Sequence, residues 1–221
     1  MKTVQAVIFF IGAICTLSVD SVSTKLQCKL PAVDIPKDWI TMVEPCTAKM
    51  REQVQEELQA ALTYMAMGAH FSRDTVNRPG FAKMFFESAS EERQHAIKII
   101  SYLLMRGELT SEVRKLIQNP MPLNESWESG LDALKDALKL EAHVTRKIRD
   151  IIIACENPSD DGKGFNDYHL VDYLSGEFLD EQYKGQKDLA NKISNLGKML
   201  ENYGILGEFL FDKKLLSGEL F

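Results

Sequence analysis

The stretch FESASEERQHAIKII, residues 86–100, decides the fold of this chain. It has the composition of a helix, and within it Glu92 and His95 lie three residues apart. A helix places residues three apart on one face, so this carboxylate and this imidazole point at a common spot. Such a pair is half of a divalent-metal site, and in four-helix bundles it forms half of a di-iron centre when other helices add carboxylates. The stretch therefore predicts a metal-binding helix within a helical bundle.

Three other helical segments supply the carboxylates that such a centre needs. Glu57 lies on an amphipathic segment upstream, Glu141 on one downstream, and the pair Glu181–Gln182 on a fourth. An inward carboxylate at Glu141, within an apolar stretch, would be costly without a cation partner. Tyr64 follows Glu57 by two helical turns, which brings its hydroxyl to the same face. Four helices with an inward acid on each predict a buried metal centre rather than a solvated Glu/His pair.

The two halves of this centre are not equivalent. A symmetric di-iron protein would begin a second E-x-x-H motif where Gln182 stands, and Gly185 occupies the place of its histidine. One metal position therefore has carboxylates and an imidazole, with Glu92 able to bridge both metals and His95 binding one. The other position has a neutral amide. This asymmetry predicts one tightly and one loosely held metal, and a loosely held metal is better suited to be a transient substrate.

Length, composition and charge fit a single soluble domain behind a targeting segment. The chain has 221 residues, enough to bury a full-sized core, and its hydrophobic fraction is 45%. The formal net charge is −6 and the pI is about 5.3. Without a dense Lys/Arg stripe, this acidic balance argues against a nucleic-acid partner.

The N-terminus predicts the compartment. Lys2 precedes VQAVIFFIGAICTL, an apolar run of signal-peptide length that small residues and Asp20 follow. We interpret residues 1–23 as a cleaved secretory signal, 24–46 as an extended arm and 47–221 as the folded domain. The alternatives are a buried N-terminal helix or a membrane anchor, but the run is too short to span a bilayer comfortably. We therefore expect the secretory pathway or the extracellular space, and no membrane partner.

Secretion gives meaning to the cysteines and to a sequon. Cys15 leaves with the signal, so three cysteines remain, and an odd number implies one internal bridge and one thiol that is free or linked to a partner. Asn124 begins the triplet Asn-Glu-Ser, an acceptor for N-glycosylation in a secreted protein.

The helical pattern predicts an all-α fold. Apolar periodicity and turn residues place helices at 47–73, 81–105, 126–155 and 166–202, with Trp127 in the third, and a short fifth helix at 205–216. A proline- and glycine-containing crossover, 106–125, separates the first two helices from the next two. Two hairpins joined by one long crossover form a ferritin-like four-helix bundle, here with a short fifth helix.

Six segments of the chain resemble successive segments of ferritin subunits. They are LQAALTYMAM, FESASEERQHA, WESGLDALKDALKLE, FLDEQYKGQKDL, LGKM and FLFDKKLL, and the resemblance extends from about Met50 to Leu216. It implies a subunit of a hollow twenty-four-subunit shell that oxidises Fe(II) with O2 and stores the ferric product as a mineral. The signal segment, the cysteine-bearing arm and the sequon resemble the secreted ferritins of insects. In those proteins heavy-type and light-type chains share one shell, so the resemblance implies a light-type partner.

The resemblance also implies which residues bind iron. The ferroxidase centre of heavy-type ferritins corresponds here to six residues, all present: Glu57, Tyr64, Glu92, His95, Glu141 and Gln182. Light-type chains lack several of these, so this chain is similar to the catalytic subunit. Glu91 is a further candidate metal ligand. Asp172 matches the first acid of the family's three-fold iron channel, but Ser175 stands at the second, and Gln94 replaces an acid beside the centre.

The implied topology also suggests how the cysteines pair. In a ferritin-like bundle the first helix begins at the end of the bundle where the third helix finishes. Cys46 and Cys155 are therefore expected to be neighbours, which leaves Cys28 on the arm as the link to another chain. The alternatives are a buried free Cys155 and a bridge between Cys28 and Cys46.

Two rival functions remain open at this point. One is an oxygen-activating di-iron enzyme with an organic substrate, against which the missing second E-x-x-H argues. The other is a structural shell subunit whose centre has decayed. The remaining histidines belong to no motif and are interpreted as surface or packing residues: His70, His143 and His169.

Overall fold

The computed structural model describes residues 33–44, 46–108, 113–156 and 166–218. The signal segment, Cys28 and residues 157–165 of the loop lie outside this part of the chain. The helices are α1 Cys46–Ser72, α2 Pro79–Met105, α3 Val113–Leu116, α4 Gly130–Glu156, α5 Tyr168–Leu174, a π-helical turn Ser175–Leu179, α6 Asp180–Tyr203 and α7 Ile205–Ser217. None of the helices in these ranges has the length and hydropathy to cross a membrane.

Four long helices form the bundle that the sequence predicts. α1 and α2 are joined by a short turn and pack along their length, and α4 packs on both α1 and α6. α5, the π-helical turn and α6 follow one another without a break and make up the fourth long helix. The described ranges contain no strand. The all-α four-helix expectation is confirmed.

The core is built by the inward faces of these helices. α1 contributes Met50, Val54 and Met67, which share one face of the helix and are all at most 1% exposed. At one end of the bundle the aromatic rings are close together, with centroids 5.1–6.3 Å apart. These rings are Phe71, Phe81, Phe85 and Phe211.

The short helix α7 is fixed to the bundle by polar contacts as well as by Phe211. The fully buried Asp212 accepts hydrogen bonds from the backbone nitrogens of Gly80 (2.7 Å) and Phe81 (3.0 Å), at the start of α2. Glu208 pairs with Arg78 (3.2 Å) and accepts from Gly130 N (2.9 Å), at the start of α4. The N–H groups in the first turn of a helix have no acceptor inside that helix. The two carboxylates of α7 supply acceptors for the first-turn N–H groups of both α2 and α4.

The four long helices start one to four residues from the predicted positions, and side-chain caps account for the differences in the third and fourth. α4 begins at Gly130 rather than near 126, because Ser129 Oγ accepts from Asp132 N (3.1 Å) and caps the helix. Trp127 therefore precedes the helix instead of belonging to it, although it is buried and its indole donates to Asp136. The fourth helix begins at Tyr168 rather than at 166, because the Asp167 side chain accepts from the backbone of that first turn. The crossover also contains α3, which the sequence pattern does not predict.

One disulfide joins the start of α1 to the end of α4. Cys46 and Cys155 are bonded with their Cα atoms 5.5 Å apart, although 109 residues separate them in the sequence. Both cysteines are at most 1% exposed. The bond lies inside the helical bundle and restrains the ends of two of its helices.

Candidate metal centre

A buried cluster of potential metal ligands lies between α1 and α2. Glu57 comes from α1, and Glu92 and His95 come from adjacent turns of α2. One ligand atom from each residue lies within 4.8 Å of the others, and all three side chains are buried. The inward faces of two packed helices thus bring together the residues that the E-x-x-H motif and the upstream acid predict.

The geometry leaves one carboxylate oxygen free for a cation. Glu57 Oε1 accepts a hydrogen bond from Gln53 Nε2 at 2.8 Å, which fixes the carboxylate. Glu57 Oε2 is buried and has no hydrogen-bond donor among the described residues, and it lies 3.9 Å from His95 Nδ1. The same nitrogen lies 3.4 Å from Glu92 Oε2. A buried acceptor without a donor is costly, and a divalent cation would satisfy it.

The electrostatics of the cluster also favour binding of a cation. Burial and the neighbouring Glu92 carboxylate raise the pKa of Glu57 well above its ordinary value. Burial and the Glu141 carboxylate do the same to the pKa of Glu92. Carboxyl groups crowded in a buried site hold protons because their charged forms are destabilised, and a cation that binds there displaces those protons.

Glu141 and Gln182 extend the site toward α4 and α6. The buried Tyr64 hydroxyl donates a short hydrogen bond to Glu141, and burial together with that carboxylate raises the pKa of Tyr64 well above its ordinary value. Gln182 is buried, and its Oε1 accepts from Thr145 Oγ1 at 2.8 Å. In turn, Gln186 Nε2 donates to Thr145 Oγ1 at 2.6 Å. A polar layer thus continues from the cluster across the bundle.

The opposite side of His95 opens toward solvent. His95 Nε2 lies 3.3 Å from Glu181 Oε2, and the Glu181 side chain is 52% exposed. Glu91 is exposed on α2, and partial burial and the charge of Glu181 raise its pKa. Glu91 and Glu181 both line one surface groove. The exposed Glu181 carboxylate therefore connects the buried cluster to this groove.

The residues expected at an iron channel lie elsewhere on the surface. Asp172, on α5, and Ser175, at the start of the π-helical turn, are both exposed, and neither belongs to the buried cluster. Asn124 is exposed, and its amide donates to Asp136 Oδ2 at 3.0 Å. An iron channel at Asp172 and a glycan at Asn124 both stay predictions.

Sequence reasoning assigned no role to Gln53 or Thr145, and it predicted Glu181 as the inward acid of the fourth helix, whereas the Glu181 side chain is 52% exposed. Gln53 holds Glu57, Thr145 holds Gln182, and Glu181 contacts His95. Gln53 lies four residues before Glu57, and Thr145 lies four residues after Glu141. Residues four apart share a helix face, so this spacing could have identified both.

Comparison with known proteins places the chain in a family. The ferritin-like domain family matches residues 47–199. The chain belongs to the ferritin family. Its relatives include the ferritin heavy chain of Papilio xuthus, 59% identical over 98% of this chain and 100% of that protein. The ferritin heavy chain of Drosophila melanogaster is 52% identical over 86% of this chain and 90% of that protein.

A solved ferritin has the same fold. The crystal structure of Trichoplusia ni secreted ferritin matches with a TM-score of 0.81 and 59% identity, covering 86% of this chain and 98% of that one. The expected ferritin-like bundle is thereby confirmed, as is the resemblance to heavy-type ferritins of insects. Heavy-type chains are the ferroxidase chains of the family, and this ferritin chain is one of them.

Proposed function

We propose that this chain oxidises Fe(II) to Fe(III) with O2 at a two-iron centre and passes the ferric product to a mineral inside a hollow shell. The observation that carries this proposal is the buried cluster of Glu57, Glu92 and His95, in which Glu57 Oε2 has no hydrogen-bond donor. Carboxylate and imidazole ligands suit iron and stabilise Fe(III) more than Fe(II), which favours the oxidation.

The ligands divide between two iron positions. The first Fe(II) takes Glu57, Glu92 and His95, which face one another across α1 and α2. The second takes Glu141 and Gln182, and Glu92 bridges the two, a role that the effect of the Glu141 charge on Glu92 supports. Two Fe(II) ions give two electrons to one O2, which takes up two protons and becomes hydrogen peroxide.

The second position is built to release its iron. Gln182 is a neutral ligand, and its side-chain oxygen already accepts a hydrogen bond from Thr145. Tyr64 donates to Glu141 and so reduces the negative charge that this carboxylate can offer a cation. Weak ligation is a disadvantage for a permanent cofactor but an advantage for a substrate that must leave.

The assembly we propose is a mixed shell of twenty-four subunits in the secretory pathway, shared with a light-type ferritin chain. The apolar N-terminal run, the disulfide between Cys46 and Cys155, and a relative described as a secreted ferritin support the secretory route. Cys28 would link this chain to its partner, Asn124 would carry a glycan, and iron would enter near Asp172. Residues 1–23, 24–46 and 47–221 would then be the signal, the arm and the ferritin domain.

Fe(II) oxidation followed optically on the assembled protein tests the proposal. The variant Glu57→Ala/His95→Ala removes two ligands of the cluster, and we expect it to lose rapid oxidation while still assembling. Glu56→Ala/His143→Ala is the matched control, because it removes another acid–histidine pair (2.9 Å) that lies outside the cluster. An unchanged initial rate in the cluster variant, or equal losses in both, would contradict the assignment.

A further inference from the structure

A row of aromatic rings leads away from the metal centre. The ring centroid of His95 lies 5.5 Å from that of Phe178, which lies 5.7 Å from that of Tyr173. Tyr173 stacks on Tyr102 with centroids 4.5 Å apart and planes at 23°. These separations are those of rings in direct contact. The row therefore connects a proposed iron ligand to a tyrosine two helical turns further along α2.

The π-helical turn is what aligns the two middle rings. Tyr173 and Phe178 lie five residues apart. The π-helical turn, Ser175–Leu179, begins two residues after Tyr173 and includes Phe178. In an α-helix, positions five apart diverge, whereas the i→i+5 bonds of a π-helix return position five to a similar face. The extra residue of this turn thus brings Phe178 against His95 while Tyr173 stays on Tyr102.

The hydrogen-bond partners of Tyr102 include a group that can accept its phenol proton. Arg106 Nη1 donates to the Tyr102 oxygen at 2.7 Å. His169 Nδ1 lies 2.9 Å from the same oxygen, and in the His169 tautomer that carries its proton on Nε2 this nitrogen accepts from the phenol O–H. His169 is exposed, so a proton that it accepts can pass to water.

The surroundings of Tyr102 favour loss of an electron and a proton together. Tyr102 is 3% exposed, and burial raises its pKa to about 12, so it remains a phenol at physiological pH. The positive charge of Arg106 is balanced by two hydrogen bonds to Asp167, both 2.9 Å long. Oxidation of a buried phenol requires that its proton leave, and the imidazole of His169 is positioned to take it.

We propose that Tyr102 is a redox-active residue that supplies one electron to the metal centre when the centre holds a single Fe(II). This inference rests on the function proposed above, since the oxidant is the hydrogen peroxide that O2 reduction produces. One Fe(II) and Tyr102 each give one electron to H2O2, whose O–O bond breaks to yield two water molecules with two protons from solvent. The products are Fe(III), a neutral Tyr102 phenoxyl radical and a protonated His169. The electron passes through Tyr173 and Phe178, and no free hydroxyl radical is released.

Freeze-quenched electron paramagnetic resonance tests this on the assembled protein. The protein is loaded with less Fe(II) than its centres can hold and then mixed with H2O2. We expect a tyrosyl signal in the wild type, its loss in Tyr102→Phe, and its retention in Tyr168→Phe, which removes an exposed hydroxyl beside His169. His169→Gln leaves the Tyr102 ring in place but changes its hydrogen bond, so we expect a weaker signal with altered g-values.

The same samples are assayed for Fe(II) oxidation, which separates the two proposals. Normal Fe(II) oxidation without a tyrosyl signal in the wild type overturns the role of Tyr102 alone. Absence of Fe(II) oxidation in the wild type overturns the proposed function. Tyr64 is the competing source, because it lies beside Glu141. A signal that persists in Tyr102→Phe and disappears in Tyr64→Phe would also overturn the inference.

Discussion

Asp212, near the end of the chain, accepts a hydrogen bond of 2.7 Å from the backbone nitrogen of Gly80, 132 residues earlier. The contact is so close that a Cβ added at Gly80 would lie 2.0 Å from the Asp212 carbonyl oxygen. One face of the short last helix, with Gly207, Phe211 and Asp212, is therefore buried against the bundle. Its carboxylates act as N-terminal caps for helices formed much earlier in the sequence.

The capping role of Asp212 predicts a specific loss of stability. In Asp212→Ala two buried N–H groups lose their acceptor, and we expect the free energy of unfolding to fall by about 1–3 kcal/mol. Asp212→Asn keeps an acceptor oxygen of the same size and should lose less. Chemical denaturation measures both, and an equal loss in the two variants would show that charge, rather than capping, is what matters.

We expect removal of the buried disulfide to lower the free energy of unfolding by more than Asp212→Ala does. Cys46→Ser/Cys155→Ser releases a loop whose ends are 109 residues apart. The chain-entropy model gives about 4–5 kcal/mol of stabilisation for a loop of this length. Denaturant unfolding of the variant against the wild type measures the difference. A midpoint that does not change on substitution would mean that helix packing alone restrains these ends.

We expect substitution of Cys28 to affect the linkage between chains and not the stability of the fold. If it is the link between chains, Cys28→Ser will leave the unfolding free energy unchanged but abolish the disulfide-linked dimer on non-reducing electrophoresis. Peptide mapping provides an independent check, because a Cys28–Cys46 peptide would be incompatible with the pairing of Cys46 and Cys155. A linked dimer that survives the substitution would assign the connection to another residue.

The raised pKa values of Glu57 and Glu92 predict how pH and metal binding together change the stability of the protein. In the metal-free protein the stability that these two groups contribute is fully present below their unfolded pKa, about 4.5. It is lost as the pH rises through their folded values, because the folded state retains protons that the unfolded state releases. A divalent cation binds the deprotonated cluster and should restore that stability.

Zn(II), which is not oxidised, is a suitable probe of this linkage. We expect the increase in Tm on adding Zn(II) to be larger at about pH 8 than at about pH 5. Glu57→Gln/Glu92→Gln removes the two titrating groups and should make the increase small at both values. An equal increase at both pH values in the wild type would be inconsistent with protonated carboxyl groups in the metal-free cluster.

Periodicity and spacing predict the bundle and much of its centre. The spacing of Glu92 and His95 identifies two ligands directly, and Glu57 follows from the apolar face of its helix. The π-helical turn is not predictable in this way, because Tyr173 and Phe178 fit a 3.6-residue pattern poorly and give no sign that the backbone adjusts to align them. Ser129 and Asp132 have the spacing of a helix cap, so the sequence could have predicted that α4 starts at Gly130.

The pairing of Cys46 with Cys155 closes about half of the chain into a covalent ring. The ring contains α1, α2, the crossover and α4, so a protease that cuts it once produces two peptide chains that the disulfide still joins, and no fragment is released. The segment from Tyr168 onward is a tail outside the ring, and it carries both Gln182 and α7. A single nick between residues 156 and 167 would sever it. The ring resists proteolytic loss of Glu57, Glu92, His95 and Glu141, whereas Gln182, the neutral ligand of the loosely held iron, is the one most easily removed.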